Sequence, residues 1–394
     1  MIVVSSILIL SGVYLTTYVA YCLLLVITHF FLPKQPPPQD KAITKFAVII
    51  PAHNEELLLW RLLSSIREQD YPRELFSSIV VADNCNDNTA ELAKQNGAIV
   101  LERFDKENVS KGYAIKWAVE TVNIDQYGAV FIIDADSIMC SDALRYLDGM
   151  LQEGKRVIQC YNGVGNPDDS WFTRLLDVSR TISNEIYHPA KQKLGLSSHL
   201  MGNGMCFTTE ILQKYGWDSF TVGEDWEYYA KLIQSGETIG FAHNVKVYHR
   251  ESSSLKQATS QRMRWSSGRF AIAGKYGFRL LLRGLIERNV VKLDAALPLL
   301  FPNPSLAMNI SLVGLATSLA LPVGYKAALA AWFLALGMIQ IGVFVLGVTH
   351  TRNKFSKFMS LFIAPAFLIW KMGIDALSAL GMGRKKWTRT ERKP

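Results

Sequence analysis

The sequence predicts an α/β domain with a mostly parallel sheet, carried between apolar helices at both ends of the chain. Three observations predict it. Short apolar runs alternate with stretches of helical period between Phe46 and Ile133, the pattern of βαβ units whose sheet is covered on both faces. Met1 to Leu32 contains no Asp, Glu, Lys or Arg. Long apolar stretches return after Ser305, and the mean hydropathy of the whole chain is +0.13.

Taken in order, the run from Met1 to Leu32 exceeds the roughly 20 residues that a membrane-crossing helix needs. A cleaved signal peptide would begin with basic residues and carry a shorter apolar run. Residues 1–33 are therefore read as an N-terminal transmembrane helix, followed by a linker over 34–44 that holds Pro36-Pro37-Pro38. Lys34, Lys41 and Lys45 put this end of the helix on the cytoplasmic side.

Phe46 to Ile50 reads as a strand ending at Pro51. Leu58, Leu59, Leu62, Leu63 and Ile66 then recur at helical spacing, with Asn54 as the expected N-cap and Asp70-Tyr71-Pro72 as the stop. Strands are expected at Ile79–Ala82 and Ala98–Leu101. Between them lies a helix from Asn88 to about Gln95, which Asp87 can cap and Asn96-Gly97 ends. A helix containing Tyr113 to Val119 leads to a strand at Ala129–Ile133. Ligands of such sheets bind beyond the carboxyl ends of the strands, where Pro51-Ala52-His53, Asp83 and Asp134-Ala135-Asp136 fall. This domain is assigned to residues 45–270.

Beyond it, Lys275, Arg279 and Arg283 repeat at i, i+4, i+8 among Phe278, Leu281, Leu282 and Leu285, as in an amphipathic helix lying in the membrane surface. That segment is assigned to 271–304, where Pro298, Pro302 and Pro304 are expected to break the chain. Ser305–Val323 and Ala327–Val348 read as two spanning helices within 305–349, joined at Gly324-Tyr325-Lys326. Arg352, Lys354 and Lys357 return the chain to the cytoplasm. Phe358 to Leu380 as a span would leave Arg384-Lys385-Lys386-Trp387-Thr388-Arg389 outside, and Pro365, Lys371, Gly373 and Asp375 make a poor lipid-facing surface. Residues 350–394 are therefore read as an interfacial or re-entrant segment with a basic cytoplasmic tail. This gives a multi-pass protein of the cell membrane with its central domain in the cytoplasm.

The formal charge of +8 lies largely beside the apolar spans, where it marks the cytoplasmic side and attracts anionic membrane lipid. Nucleic acid is not an expected partner. The five cysteines, Cys22, Cys85, Cys140, Cys160 and Cys206, are odd in number and far apart, which argues against a disulfide framework or a cysteine metal cluster. His53, His199, His243 and His249 show no metal-ligand spacing.

Several motifs carry chemistry. Asp134 and Asp136, after Val130-Phe131-Ile132-Ile133, put two hard oxygen donors at the lip of a buried strand, suited to Mg²⁺ or Mn²⁺ on a diphosphate. An isolated Asp-x-Asp more often caps a turn, and the sheet-end position reverses that preference. Asp83 can accept bonds from a base or ribose, and it lies a turn too early to cap the following helix. Lys111-Gly112 offers a cation and a close backbone for a phosphate or ribose, though alone it reads as a solvated turn. Gly202-Asn203-Gly204 permits backbone approach to a ligand, and alone it too reads as a turn. Glu224-Asp225 opens a helix, where the macrodipole favours acids whatever their role. As a functional group, one of these carboxylates is a general base for an acceptor hydroxyl. In Gln261-Arg262-Met263-Arg264-Trp265, Arg264 can hold a phosphate through its planar fork and Trp265 can stack on a sugar ring. The competing reading is a Trp anchored at a membrane surface beside basic residues.

The ordered series Pro51-Ala52-His53-Asn54-Glu55, Asp83, Lys111-Gly112, Asp134-Ala135-Asp136, Gly202-Asn203-Gly204, Glu224-Asp225 and Gln261-x-x-Arg264-Trp265 resembles a membrane-bound family 2 glycosyltransferase of the cellulose, chitin and hyaluronan synthase-like branch. The match runs from about Lys45 to Phe270, with the flanking membrane layout. Each motif is weak and the ordered set is strong. The resemblance implies a GT-A, Rossmann-like nucleotide-sugar domain. It places Pro51, Asn54, Glu55, Asp83, Lys111, Gly112, Asp134, Gln261 and Arg264 around a UDP-sugar. It places Gly202, Asn203, Gly204, Glu224 and Trp265 at the acceptor. It makes Asp136 the ligand of Mg²⁺ or Mn²⁺ and Asp225 the base of a single inverting displacement that releases UDP.

The chain departs from the family pattern in two ways. Ala82 stands where many relatives carry a further Asp, which weakens the inference for base and ribose contacts. Three spans are few for one chain to enclose a polymer channel. The acceptor is then a growing polysaccharide, with a partner subunit or a second copy of the chain supplying helices, or a membrane-embedded, lipid-linked molecule that receives a single sugar. Two other classes stay open: a membrane-tethered nucleotidyltransferase, which would release pyrophosphate, and a non-catalytic scaffold that only binds nucleotide.

Overall fold

The computed structural model describes residues 2–33, 41–252, 255–301 and 303–382. The expectations for Lys34, Pro36-Pro37-Pro38, Pro302 and the tail from Arg384 to Arg389 fall outside the described residues.

Strands β1 (Phe46–Ala52), β2 (Phe76–Asp83), β3 (Ile99–Arg103), β4 (Ala129–Ile132), β5 (Ser137–Met139), β6 (Val157–Val164), β7 (Met205–Thr208) and β8 (Ile239–His249) form one sheet in the order β3-β2-β1-β4-β7-β6-β8-β5. The pairs β1–β2, β1–β4, β2–β3 and β6–β8 are parallel, and β4–β7, β6–β7 and β5–β8 are antiparallel. The sheet is thus mostly parallel, with β7 joining two parallel blocks.

The apolar runs are continuous because both faces are covered. Alternation along β1 and β2 sends Ala47, Ile49, Ile79 and Val81 to one face, against Ala114, Ile115 and Ala118 of the helix α4 (Lys111–Thr121). Phe46, Val48, Ile50 and Val80 face the other way, against Leu59, Leu62, Leu63 and Ile66 of α2 (Leu59–Arg67). Burying each such aliphatic side chain stabilises the fold by about 1.5–3 kcal/mol before entropy is counted. Between β2 and β3 lies α3 (Thr89–Gln95), one residue shorter at its start than expected: Asn88 is its N-cap and makes no side-chain cap bond, while Asp87 Oδ1 accepts from Thr89 N at 3.0 Å. Asn54 does not cap α2. It takes a left-handed backbone, φ 56°, and its Oδ1 accepts from Asn86 N at 2.8 Å, so it ties the β1 loop to the β2 loop while Leu58 precedes the helix uncapped.

The second half of the domain adds α5 (Ala143–Gln152), α6 (Trp171–Thr181), α7 (His188–Lys193), α8 (Thr209–Tyr215) and α9 (Glu224–Gln234). The Gln261–Trp265 motif lies on α10 (Leu255–Ile272), which continues through a wide turn into α11 (Phe278–Ile286). Next come α12 (Val290–Leu300), α13 (Pro304–Ala320), α14 (Lys326–Thr349), α15 (Lys354–Ser360) and α16 (Ala364–Ala379), with α1 (Ile2–His29) packed among them.

Among the described residues, three helical stretches are long and apolar enough to cross a membrane: Ile2–His29, Lys326–Thr349 and Lys354–Ala379. The expected span at Ser305–Val323 corresponds to α13, which is long and apolar enough only together with α12, from which it is bent by 65°. Pro298 does not break the chain. It sits inside the last turn of α12, and α13 starts at Pro304 with the Asn303 side chain accepting from Leu306 N at 2.8 Å. The ends of α1 and α14 meet, with His29 Nε2 3.2 Å from His350 Nε2. Both ends of the α15–α16 stretch are tied to the central domain: Lys357 pairs with Asp177 of α6, and Ser378 Oγ donates to Met263 O of α10 at 3.1 Å.

Candidate active site

The carboxyl ends of β1, β2 and β4 open onto one cavity of about 1170 Å³. Pro51, Glu55, Asp83, Lys111, Asp134, Asp136, Gly202, Asn203, Glu224, Asp225, Gln261, Arg264 and Trp265 line it, so the ordered motifs of the sequence converge in space. Asn54, Gly112 and Gly204 stand behind the lining rather than in it.

At one end, Asp83 Oδ1 accepts from Arg103 Nη1 at 2.7 Å and from Asn84 Nδ2 at 3.0 Å. Burial pushes the Asp83 carboxyl up and Arg103 opposes the rise. His53 bonds through Nδ1 to Asp83 O at 2.7 Å, which locks the β1 loop to the end of β2. Arg103 is a residue the sequence did not mark, since nothing near it in the chain distinguishes it from a surface cation.

The loop after β4 is braced from across the sheet. Asn203 Oδ1 accepts from Asp134 N at 3.0 Å, and its Nδ2 donates to Ser137 Oγ at 2.9 Å. The left-handed φ of 78° at Gly202 and 68° at Gly204 lets this loop turn in under the site. A Cβ on Gly202 would lie 3.2 Å from Asp225 Oδ2, so the glycine brings backbone against the expected base. Gly112 makes room for the chain itself: a Cβ there would lie 2.2 Å from Ser219 O.

Lys111 Nζ donates to Asp134 Oδ1 and to Gly202 O. Burial opposes its charge, but Asp134, Glu224 and Asp225 outweigh burial and hold its pKa above the ordinary lysine value. Glu224 and Asp225 both move the other way from ordinary carboxyls. Protein packs around them on most sides while their carboxylates stay open to the cavity, and burial, followed for Glu224 by the neighbouring Asp225 charge, raises the pKa of each. Asp225 Oδ1 accepts from Trp226 N at 2.8 Å, which fixes the side chain at the first turn of α9. A carboxylate so placed and so raised is suited to take a proton near neutral pH.

On α10, Gln261 is buried and its Oε1 has no hydrogen-bond partner among the described residues. Burial opposes the charge on Arg264 and Glu224 favours it. The Trp265 ring lies under the Arg262 guanidinium at 4.6 Å. Glu251 holds Arg262 at 2.7 Å, His249 at 3.3 Å and Arg180 at 3.9 Å, and Arg262 chiefly keeps the Glu251 carboxyl well below its ordinary range despite burial. Nothing in the sequence marks this network, because its members come from α6, β8, the loop after β8 and α10. Of the four histidines, His53, His199 and His249 line the cavity. His199 is stacked on Trp226 at 4.5 Å, and burial holds it well below its ordinary pKa. His243 pairs with Glu185 at 2.6 Å.

Among the described residues no group of three or more His, Cys, Asp or Glu side chains is placed to cage a metal ion. Asp134 and Asp136 still supply hard carboxylate oxygens at the strand lip, a donor set that fits a divalent cation taking its other ligands from phosphate and water.

The cavity also continues away from the sheet. Its far wall comes from Tyr18 and Leu25 of α1, Leu312 of α13, Ile339, Val343 and Phe344 of α14, and Leu368 of α16.

A family model described as "Glycosyltransferase like family 2" matches residues 44–268. The "Probable glycosyltransferase YdaM" of Bacillus subtilis is 23% identical over 373 residues, covering 89% of this chain and 88% of that protein. The beta-monoglucosyldiacylglycerol synthase of Nostoc is 24% identical over 231 residues, covering 56% of this chain and 48% of that protein. Among solved structures, the mannosyltransferase PcManGT of Pyrobaculum calidifontis, in complex with GDP-Man and Mn²⁺, superposes with a TM-score of 0.55 at 18% identity. It covers 87% of this chain and 98% of that one, which shows a shared GT-A-type fold. Since the family match spans the whole sheet and reaches α10, the chain belongs to glycosyltransferase family 2.

Proposed function

We propose that this protein is an inverting glycosyltransferase that moves a sugar from a nucleoside diphosphate to a hydroxyl of a membrane-embedded lipid acceptor. The observation that carries the reading is the single cavity that holds Asp134, Asp225 and Trp265 at one end and spanning-helix side chains at the other. Ile339 is ten residues before the end of α14 at Thr349, so at 1.5 Å per residue the cavity reaches roughly 15 Å along that helix. That is about half the hydrocarbon thickness of a bilayer. Leu312, Ile339, Val343, Phe344 and Leu368 suit an acyl chain better than the hydroxyls of a sugar polymer.

In this reading α1, α13 and α14 cross the membrane, and α15–α16, tied to the domain at both ends, lies along its surface. Lys41 and Lys45 follow α1 in the chain and Arg352, Lys354 and Lys357 follow α14, which favours a cytoplasmic active site. The donor diphosphate lies between Lys111, Arg264 and the β4 lip. Asp136 would hold Mg²⁺ or Mn²⁺ there, and the ion, when bound, offsets charge on the departing phosphate. The acceptor O–H gives its proton to Asp225, its oxygen forms a bond to the anomeric carbon, and the bond to the diphosphate breaks with its electron pair leaving on the nucleotide. Gln261 stands with Arg264 on the diphosphate side, and Trp265 positions the acceptor end.

Resemblance in the site motifs favours a UDP-sugar. The structural neighbour holds GDP-Man, so the test is nucleotide release by detergent-purified protein against both UDP- and GDP-sugars. Release from one donor, abolished in Asp225→Asn with nucleotide binding retained, is the expected result. Full activity in that variant would overturn the mechanism. Release of pyrophosphate would favour nucleotidyl transfer instead, and nucleotide binding with no turnover of any donor would favour a scaffold.

A further inference from the structure

A second set of charges lines the cavity where the catalytic domain meets the membrane helices. Arg180 of α6, Arg262 and Arg269 of α10 and Lys371 of α16 all face it. Among the described residues these four cations pair with two carboxylates, Glu251 (with Arg262 and Arg180) and Asp375 (with Lys371). Arg269 is held by carbonyls, its Nη2 donating to Pro298 O and Phe301 O at 2.8 Å each. Arg262 is within electrostatic reach of Arg180, and both Arg262 and Arg269 are within reach of Lys371, so the four form one cluster with a surplus of positive charge. Buried like charges repel and lose hydration, so the cluster favours an anionic ligand that supplies what the two carboxylates do not.

Its position says where on a substrate that anion sits. Arg180 is also within reach of Asp225, which puts one side of the cluster beside the base. Arg269 grips the bend between α12 and α13, which puts the other side where the apolar wall begins. A ligand running along the cavity therefore presents a hydroxyl to Asp225, then an anion, then a hydrocarbon chain.

We infer that the acceptor is a phospholipid whose headgroup carries a free hydroxyl beyond its phosphodiester, the phosphate resting among Arg180, Arg262, Arg269 and Lys371. This deepens the lipid-acceptor reading and rests on it. Uncharged diacylglycerol lacks the anion, and inorganic phosphate lacks the chain.

The test is a binding measurement on the full chain without donor, so that it stands apart from the transfer chemistry. The probes are dioctanoyl phosphatidylglycerol, dioctanoylglycerol and inorganic phosphate, read by native mass spectrometry and by displacement of labelled phosphatidylglycerol. The phospholipid should bind about 10- to 100-fold more tightly than the neutral lipid, as expected for a few hydrogen bonds to a charged group. Arg180→Gln and Lys371→Gln should each remove about tenfold of that preference, and Arg180→Lys should retain most of it, which separates lost charge from lost fold. With a donor identified, the same variants should raise the KM for lipid and leave the KM for donor unchanged. Equal binding of neutral and anionic lipid would overturn the inference, as would displacement by inorganic phosphate at equal concentration. A rise in donor KM alone would assign the cluster to the donor diphosphate. Absence of turnover with any donor, alongside intact phospholipid preference, would sink the transfer reading while leaving the lipid site standing.

Discussion

Gly112→Ala tests whether a buried helix contact sets the position of Asp225, the proposed base. Gly112 lies in the first turn of α4, and an added Cβ would come within 2.2 Å of Ser219 O, a backbone atom that no rotamer change can move. To restore an ordinary contact of 3.4 Å, the carbonyl must retreat by roughly 1.2 Å. The segment it belongs to runs through Phe220, Thr221, Val222 and Gly223 along the cavity wall and ends on Glu224-Asp225. Phe220 is also stacked on Tyr113 of α4 at 4.2 Å, so helix and segment move as one packed unit. Overpacking of this kind costs about 1–3 kcal/mol, and the helix preference for Ala over Gly returns up to about 1 kcal/mol. The net loss of about 1–2 kcal/mol lowers Tm by a few degrees. A base displaced by about 1 Å should lower kcat about 100-fold. The assay is nucleotide release at saturating donor beside a thermal melt, with Gly274→Ala as control, since nothing lies within 4 Å of a Cβ at that position. A folded Gly112→Ala protein with wild-type kcat would refute the link between the α4 contact and the base.

The same site yields further expected outcomes. Burial pushes the Asp225 carboxyl up to about 6, so kcat should fall as pH is lowered through that value, and a profile flat to pH 4 would count against Asp225 as base. The sign for stability is opposite to that of an ion-paired acid. A carboxyl raised in the folded state binds more protons there than in the unfolded chain, so Asp225→Asn should stabilise by roughly 1–3 kcal/mol above pH 6, with the gain fading as pH approaches 4. Glu251→Gln leaves Arg262 and Arg180 without their carboxylate and should destabilise the fold by about 3–5 kcal/mol by thermal melt; an unchanged Tm would mean that both cations are already well hydrated and that the pairing contributes little. Chelation should bring nucleotide release to background, restored by Mg²⁺ or Mn²⁺, and chelator-resistant release would remove the metal from the scheme.

The sequence was most legible where one physical rule acts alone. β1, β4 and the Ile79–Ala82 part of β2 are apolar runs between covered faces, and α1 is an uncharged run of sufficient length, so each announced itself. The strands after Met139 did not. β6 reads Val-Ile-Gln-Cys-Tyr-Asn-Gly-Val and is buried throughout, yet Gln159 and Asn162 interrupt its apolar pattern. Their polar groups are satisfied from outside the strand, Gln159 Oε1 accepting from Met201 N at 2.8 Å and Asn162 Oδ1 meeting His249 Nδ1 at 2.9 Å. The same division holds in the site. Acids at strand ends are visible because topology fixes where strand ends point, whereas Arg103, Arg180 and Glu251 acquire meaning only from partners distant in the chain. Asn54 misled for a related reason: its side chain serves the neighbouring loop rather than the helix after it.

If the acceptor is a lipid, as proposed, the continuity of the cavity from the sheet to the apolar helices changes the energetics of getting it to the chemistry. An enzyme that lifts a lipid out of the bilayer must expose its chains to water at about 0.8 kcal/mol per methylene, roughly 12 kcal/mol for a sixteen-carbon chain. Under the proposed reading the chain stays at bilayer depth while only the headgroup advances to Asp225. On the proposed reading the nucleotide comes and goes through water, the acceptor comes and goes sideways through lipid, and the two solvents meet only across the bond being exchanged. Turnover then depends on how fast a headgroup lengthened by one sugar can slide back out between α13, α14 and α16.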